Sequence, residues 1–477
     1  MTVDRPVLDA GGAVDEDAVF PRLSTGNAQA DAVLGGGFPS NSINVVMGQP
    51  GTGKTIFAEQ LLFHHANGAS DGRPLLYVST LSEPLSKLVS YVQRFDFYAP
   101  DKLGGAIQYE DLGPALATQG VGSVVPWLRE AIRTVSPRVI VIDSFRAVHD
   151  LSDSPQETRR LVSELAGLLS AYETTTFLLG EYTSADIDRF PEFAVADAIV
   201  EFARQPLSTR DERFFRVLKL RGSHYSEGRH AFRITKGGLR FFPRLVAPDI
   251  PTSYEPQLER IPSGVPGLDA MLGGGLWSGS TTLVVGPTGS GKTTLALQFA
   301  LEGMRRNEPV LYVNFQENPS QLRRSMSNLG FDTANGASRG LHLVYASPVE
   351  LQIDSIIVEI FEHIRDHGIR RVVVDAIGDL ATAANDPQRL HDYLYSLIQH
   401  FVVNGVTSVL TYESGDGVTG VGDLEQRFSY VSDNVLQICL EGAAETKRTI
   451  RVVKTRNSAH DPRAHTLRIG DSGGVVL

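Results

Sequence analysis

The chain has 477 residues, a formal net charge of −11, a pI of about 5.6 and one cysteine, Cys439. That length admits two or three domains, and the acidic balance argues against nucleic-acid binding through a general basic surface. One cysteine excludes an intramolecular disulfide framework and fits a reducing, cytoplasmic setting, and no apolar run reaches the ~18 residues of a membrane span.

Residues 1–20 are acidic, rich in Gly and Ala and aperiodic, which predicts a mobile tail. Ile43–Met47 reads as a short buried strand and Ile56–His65 as an apolar-periodic helix. Between them runs Gly48-Gln-Pro-Gly51-Thr52-Gly53-Lys54-Thr55, which fits the P-loop pattern GxxxxGK[ST]. The glycines let backbone N–H groups curl around a polyphosphate, and the lysine reaches the β and γ phosphates. The threonine hydroxyl ligates Mg²⁺, so ATP and Mg²⁺ are the expected cofactors. The apolar runs Leu75–Ser79, Val139–Ile142 and Thr175–Leu179 alternate with helical stretches, the mark of a parallel sheet covered on both faces. Asp143 closes Val139-Ile-Val-Ile-Asp143 at a strand tip, where an open α/β sheet binds its ligand, and there it can hold the Mg²⁺ shell. Further on, the strand-like Phe214–Leu220 carries Lys219, with Arg221 two residues later, so the pair is expected on one face. Such cations either keep a sheet edge solvated or act as a finger on a neighbouring subunit's γ-phosphate.

Residues 245–256 hold three prolines and no period, which predicts a stiff linker at 247–256 between domains at 21–246 and 257–477. The second half then repeats the first. Gly286-Pro-Thr-Gly289-Ser290-Gly291-Lys292-Thr293-Thr294 is a second P-loop, between the strand Thr281–Val285 and the helix Thr294–Gly303. Lys54 and Lys292 are 238 residues apart, as are Arg22 and Arg260, each ahead of a Leu-Gly-Gly-Gly run. Tyr77 and Tyr312, Pro84 and Pro319, and Lys219-Leu220-Arg221 and Lys454-Thr-Arg456 are each 235 apart. Val310–Phe315, Arg371–Val374 and Thr407–Leu410 supply the strands, and Asp375 ends Val372-Val-Val-Asp375 as Asp143 ends its own run. A nearly constant offset over this distance is a tandem duplication of an α/β domain.

These ordered motifs resemble the KaiC family of double-domain RecA-like ATPases, known from the cyanobacterial circadian oscillator. The resemblance runs from about Arg22 onward. It implies two tandem RecA-like P-loop domains, each a mostly parallel sheet flanked by helices. It also implies a two-tiered homohexamer with ATP at subunit interfaces, a slow ATPase in the first ring, and autophosphorylation on adjacent Ser and Thr in the second. Lys219, Leu220, Arg221, Ser223, His224 and Thr235 then become nucleotide contacts of the first domain, and Lys454 and Arg456 a finger acting in trans.

Departures from the family pattern refine this. Its members carry paired glutamates before the proline, where they polarise the attacking water or hydroxyl. Here Leu81 and Ser82 precede Glu83 in the first domain, whereas Gln316 and Glu317 stand in the second. Along a strand a one-residue slip turns a side chain to the opposite face, which would carry Glu83 away from the site. Gln orients a nucleophile but is no base, so Glu317, placed with Thr293 and Asp375 around the metal, is the expected water activator. Hydrolysis is therefore expected mainly in the second domain. Ser429 and Tyr430 fall where the family has its acceptor pair, which makes Ser429 the candidate phosphoacceptor, while Phe193 and Ala194 leave the first domain without one. The chain stops at Leu477 without the long tail by which clock members bind their phosphorylation-promoting partner, so a cyanobacterial-style oscillator is not expected and the protein partner stays unidentified. A RecA-type nucleic-acid motor would need basic loops, yet Ser414–Asp423 holds no Lys or Arg. A nucleotide-sensing scaffold with little turnover is the other alternative.

Overall fold

Short β-branched runs build two nine-stranded sheets of matching topology. The computed structural model describes residues 21–68, 72–80, 85–152, 154–207, 210–250, 255, 257–330, 340–384, 386–414, 431–441, 447–470 and 474–477. The predicted tail, Glu83 and Ser429 thus lie outside the described residues. The chain divides into two units, Met1–Arg244 and Leu245–Leu477. Leu245 is buried in the second unit's core.

In the first unit the strands lie in the order Ile107–Asp111, Leu75–Ser79, Val139–Asp143, Thr175–Gly180, Ile43–Gly48, Ala198–Pro206, Asp211–Leu220, His230–Thr235, Gly238–Phe242. The run from Ile107–Asp111 to Ala198–Pro206 is parallel, and the remainder is antiparallel. The second sheet repeats this as Leu341–Tyr345, Val310–Asn314, Arg371–Asp375, Thr407–Glu413, Thr281–Gly286, Asn434–Glu441, Lys447–Thr455, His465–Ile469, Val475–Val476. In both sheets the P-loop strand sits beside the last parallel strand, so its neighbours on either side also aim their C-terminal ends at the loop.

Alternation along each strand feeds two cores. Val45 and Met47 face one side of the first sheet and Val46 the other; Leu283 and Val285 against Val284 do the same in the second. Strands buried on both faces read as unbroken apolar runs, as these do. Each fully buried aliphatic stabilises by roughly 1.5–3 kcal/mol over an exposed one. Slipping a central strand by one residue would exchange its two faces, so the register that sets the loop positions is firmly held. A bulge interrupts the pairing at Ile199/Val200 and again at Val435/Leu436. No described helix is long and apolar enough to cross a membrane.

Candidate nucleotide sites

Each P-loop leaves its strand at a glycine the neighbouring strand requires. A Cβ on Gly48 would lie 2.1 Å from the Phe202 carbonyl oxygen. Gly53, left-handed at φ 105°, then opens the helix Lys54–Asn67, as Gly291 opens Lys292–Arg305. The two lysines fold onto their own loops. Lys54 Nζ donates to the carbonyls of Gly48 (2.9 Å) and Gln49 (3.0 Å), and Lys292 Nζ to those of Gly286 (2.9 Å) and Pro287 (2.8 Å). Burial lowers both pKa values, opposed by Glu181 and Asp143 in the first site and by Glu413 and Asp375 in the second. A buried ammonium resting on neutral carbonyls would gain a stronger, charge-assisted partner from a phosphate, so the loops fit ATP.

The strand-end aspartates are held by side chains from neighbouring elements. Thr55 Oγ1 donates to Asp143 Oδ2 at 2.7 Å and Tyr77 OH to the same oxygen at 2.8 Å. In the second site Tyr312 OH donates to Asp375 Oδ2 at 2.9 Å, and Thr411 Oγ1 donates to Oδ1. The recurrence of Tyr77 and Tyr312 in the sequence is thereby explained: each phenol fixes the aspartate of the strand alongside. Thr55 with Asp143, and Thr293 with Asp375, are the donors that would hold Mg²⁺, which when bound neutralises phosphate charge. Lys54, Thr55, Asp143, Arg146, Glu181 and Ile234 line a cleft of about 560 Å³ over the first loop.

Two acids were missed from the sequence. Glu181 follows the strand Thr175–Gly180 and Glu413 ends Thr407–Glu413, the strands directly beside each P-loop strand. Glu413 accepts a hydrogen bond from Thr288 of the second loop. Their signal was available: they are 232 residues apart, as are Asp143 and Asp375.

Gln316 and Glu317 lie past the end of Val310–Asn314, in a bend that Asn314 Oδ1 holds by accepting from the backbone N–H of Gln316 (2.8 Å) and of Glu317 (3.1 Å). Gln316 Nε2 donates to Asp379 Oδ2 at 3.1 Å. Glu317 Oε2 is buried without a hydrogen-bond partner, and burial followed by the charge of Asp375 raises the Glu317 pKa. In the first domain the strand Leu75–Ser79 ends before Leu81 and Ser82, and Glu83 itself lies outside the described residues.

The Lys/Arg pairs occupy the other end of the sheets. Lys219 is level with Ile199 and Gly48 with Phe202; Lys454 is level with Val435, whereas Gly286 meets Ile438. The strands end at Leu220 and Thr455, so Arg221 and Arg456 stand just beyond them, not within a continuous strand as expected. Lys219 Nζ still reaches the Phe193 and Ala194 carbonyls (3.3 and 3.5 Å), and Arg221 Nη2 the latter (3.4 Å), so each pair does share one side. Lys454 Nζ donates to the Ser432 carbonyl at 2.9 Å, and Arg456 pairs with Asp433 at 3.9 Å. Leu220 is buried in the core. Ser223 accepts from Arg22 and donates to the His224 carbonyl. Thr235 instead lies beside Ile234 at the first P-loop, its Oγ1 donating to the Gly238 carbonyl at 2.9 Å.

A family model described as "ATPase: KaiC" matches residues 23–246 and again 261–477. The chain is 28% identical to the circadian clock oscillator protein KaiC of Picosynechococcus, over 99% of this chain and 92% of that protein. It is 27% identical to the circadian clock oscillator protein KaiC 1 of Synechocystis (93% and 86%) and 26% identical to the circadian clock protein KaiC2 of the same genus (95% and 80%). With a duplicated P-loop sheet matched along nearly its whole length, the chain belongs to the KaiC family of ATPases.

Proposed function

We propose that the chain is a homohexameric regulatory ATPase that binds Mg²⁺-ATP between subunits in both domains. Hydrolysis is concentrated in the second domain, and Ser429 of that domain is the acceptor for autophosphorylation. The observation that carries the interfacial reading is the register across each sheet. A P-loop and the Lys/Arg pair of one domain stand at opposite ends, so a single chain supplies half of a charge-neutralised site. A second copy would supply the other half.

In the second site Glu317 is the carboxylate suited to draw a proton from the attacking water, because burial, followed by the charge of Asp375, raises its pKa and makes it a stronger base. Gln316, tied to Asp379 through its amide nitrogen, keeps its carbonyl oxygen to orient that water. Lys292, Lys454 and Arg456 would offset the charge on the transferred phosphoryl group. The names of the relatives tie them to circadian clocks, which favours a regulatory output through a protein partner over work on nucleic acid. Incubation with radiolabelled Mg²⁺-ATP, following labelled phosphate release, labelled protein and molecular mass together, tests the reading. Slow release by a hexamer supports it; a monomer with full activity would overturn it.

A further inference from the structure

We propose that the second domain carries a structural metal site for a divalent cation of the zinc class, formed by His342, His363 and His367. His342 is the second residue of the edge strand Leu341–Tyr345, and His363 and His367 lie four apart on the helix Ile353–His367. One nitrogen from each ring comes within 4.8 Å of the other two, the only such cluster among the described residues. The His342 and His367 rings stack at 3.9 Å, and His363 lies 5.5 Å from the first and 5.3 Å from the second.

Several observations point to a ligand over simple packing. His363 Nδ1 is buried without a hydrogen-bond partner, which is costly for a polar atom unless something occupies it. Spacing of i, i+4 on a helix sets two imidazoles on one face, the arrangement of many zinc sites. Zn–N bonds of about 2.0–2.1 Å at a tetrahedral angle separate ligand nitrogens by about 3.4 Å, so closing the cluster needs small side-chain rotations. His367 is also the last residue of its helix, where the macrodipole favours a cation.

The duplication supplies an internal control. The strand of the first domain equivalent to Leu341–Tyr345 is Ile107–Asp111, and the helix equivalent to Ile353–His367 is Val124–Val135. Counted from the strand start and the helix end, the three positions hold Gln108, Ala131 and Val135. The fold itself therefore does not demand histidine there. Binding would clamp the edge strand to the helix and leave a fourth coordination position open.

The test is a Co²⁺ titration of the full chain after removal of metal with EDTA, followed by displacement with Zn²⁺. One Co²⁺ per chain is expected, with the strong visible absorption of a tetrahedral nitrogen-rich site, lost on adding one equivalent of Zn²⁺. His367→Gln, at an exposed position that tolerates change, and His342→Asn should each weaken Co²⁺ binding by about 100-fold or more. Zn²⁺ should raise the melting temperature of the wild type and not that of His367→Gln. Weak octahedral spectra, or equal affinity in wild type and His367→Gln, would overturn the assignment.

Discussion

Lys292 and Arg456 stand at opposite ends of the second sheet. Lys292 follows Gly286 at the top of the P-loop strand, while the Arg456 N–H bonds to Asp433, whose own N–H bonds to Thr281 at the bottom of that strand. Five residues of strand at about 3.3 Å each separate the two levels by about 16 Å. Even an extended arginine cannot span that distance to a phosphate held by its own loop. Lys54 and Arg221 repeat the relationship, since Asp197 links Arg221 to Ile43 in the same way.

Mixing two inactive variants should therefore restore activity. Arg456→Ala lacks the finger and Lys292→Ala lacks the loop lysine, but a mixed ring contains some interfaces with both. Co-refolded mixtures should recover a measurable fraction of wild-type ADP production, highest near equal proportions. Mixed hexamers, verified by tag pull-down, that stay inactive would mean Arg456 acts within its own chain or only holds Asp433.

Replacing Glu317 by Gln should reduce second-domain hydrolysis by about 10²-fold or more while leaving ATP affinity unchanged. Asn314 fixes the bend that turns Glu317 toward Asp375, so Asn314→Ala should produce a smaller loss of the same kind. Glu83→Gln in the first domain should matter little. Single-turnover assays on the three variants decide this, and a larger loss from Glu83→Gln would relocate hydrolysis to the first domain.

Assembly should depend on the first site. A nucleotide that binds only the assembled form stabilises it by mass action, and a site depleted of hydrolytic groups keeps that nucleotide longest. Lys54→Ala should remain monomeric under ATP, whereas Lys292→Ala should still form hexamers, as read by light scattering after size exclusion. Hexamers from Lys54→Ala would refute this.

Ser429 should be the acceptor, and the phosphate should come from a neighbour. Its first-domain counterpart, Phe193, has its carbonyl 3.3 Å from Lys219 Nζ, at the end of that sheet away from the first P-loop, which motivates testing transfer between chains. Intact-mass spectrometry after prolonged Mg²⁺-ATP incubation should show one added phosphate, absent in Ser429→Ala. Lys292→Ala chains mixed with wild type should become labelled. Unlabelled Lys292→Ala chains in mixed rings would place the transfer within one chain.

What the sequence made legible was what repeats. The P-loop pattern, the apolar strands and the aspartates that close them were legible because burial on both faces and a fixed offset leave linear signatures, whereas the order of the strands in each sheet was not. The strand-end acids Glu181 and Glu413 share the 232-residue offset of Asp143 and Asp375 but escaped because a Glu after an apolar run resembles any solvated turn until the strand order is known. Only the sheet order shows that these runs flank the P-loop strand. The bend at Asn314 escaped for a related reason: an Asn accepting two backbone N–H groups ends the strand, and face alternation cannot be extended past it. Leu245, two residues ahead of the linker predicted at 247–256, is buried in the second unit's core.

Glu59, unmatched in the second domain, where Leu297 takes its place, should make the first domain sensitive to alkali. It is fully buried one turn beyond Thr55; Tyr109 OH donates to Oε2 at 2.8 Å, and Oε1 has no partner. Burial pushes its pKa up to about 8, against a weaker opposing pull from Tyr109. A carboxyl with a folded pKa above its unfolded value gives stability that is complete below the unfolded pKa and is lost as pH rises through the folded one. Between about pH 4.5 and about pH 8 only the unfolded chain ionises, so stability falls by up to about 1.4 kcal/mol per pH unit from this group. Glu59→Gln keeps the shape and an acceptor for Tyr109 but cannot ionise. In a Trp277→Phe background, Trp127 is the one remaining tryptophan and reports unfolding of the first domain. The urea midpoint of Glu59→Gln should nearly match that of its Glu59 parent at about pH 5 and exceed it increasingly toward about pH 8. A difference between the two proteins that does not change with pH would show that Glu59 is not held neutral in the fold.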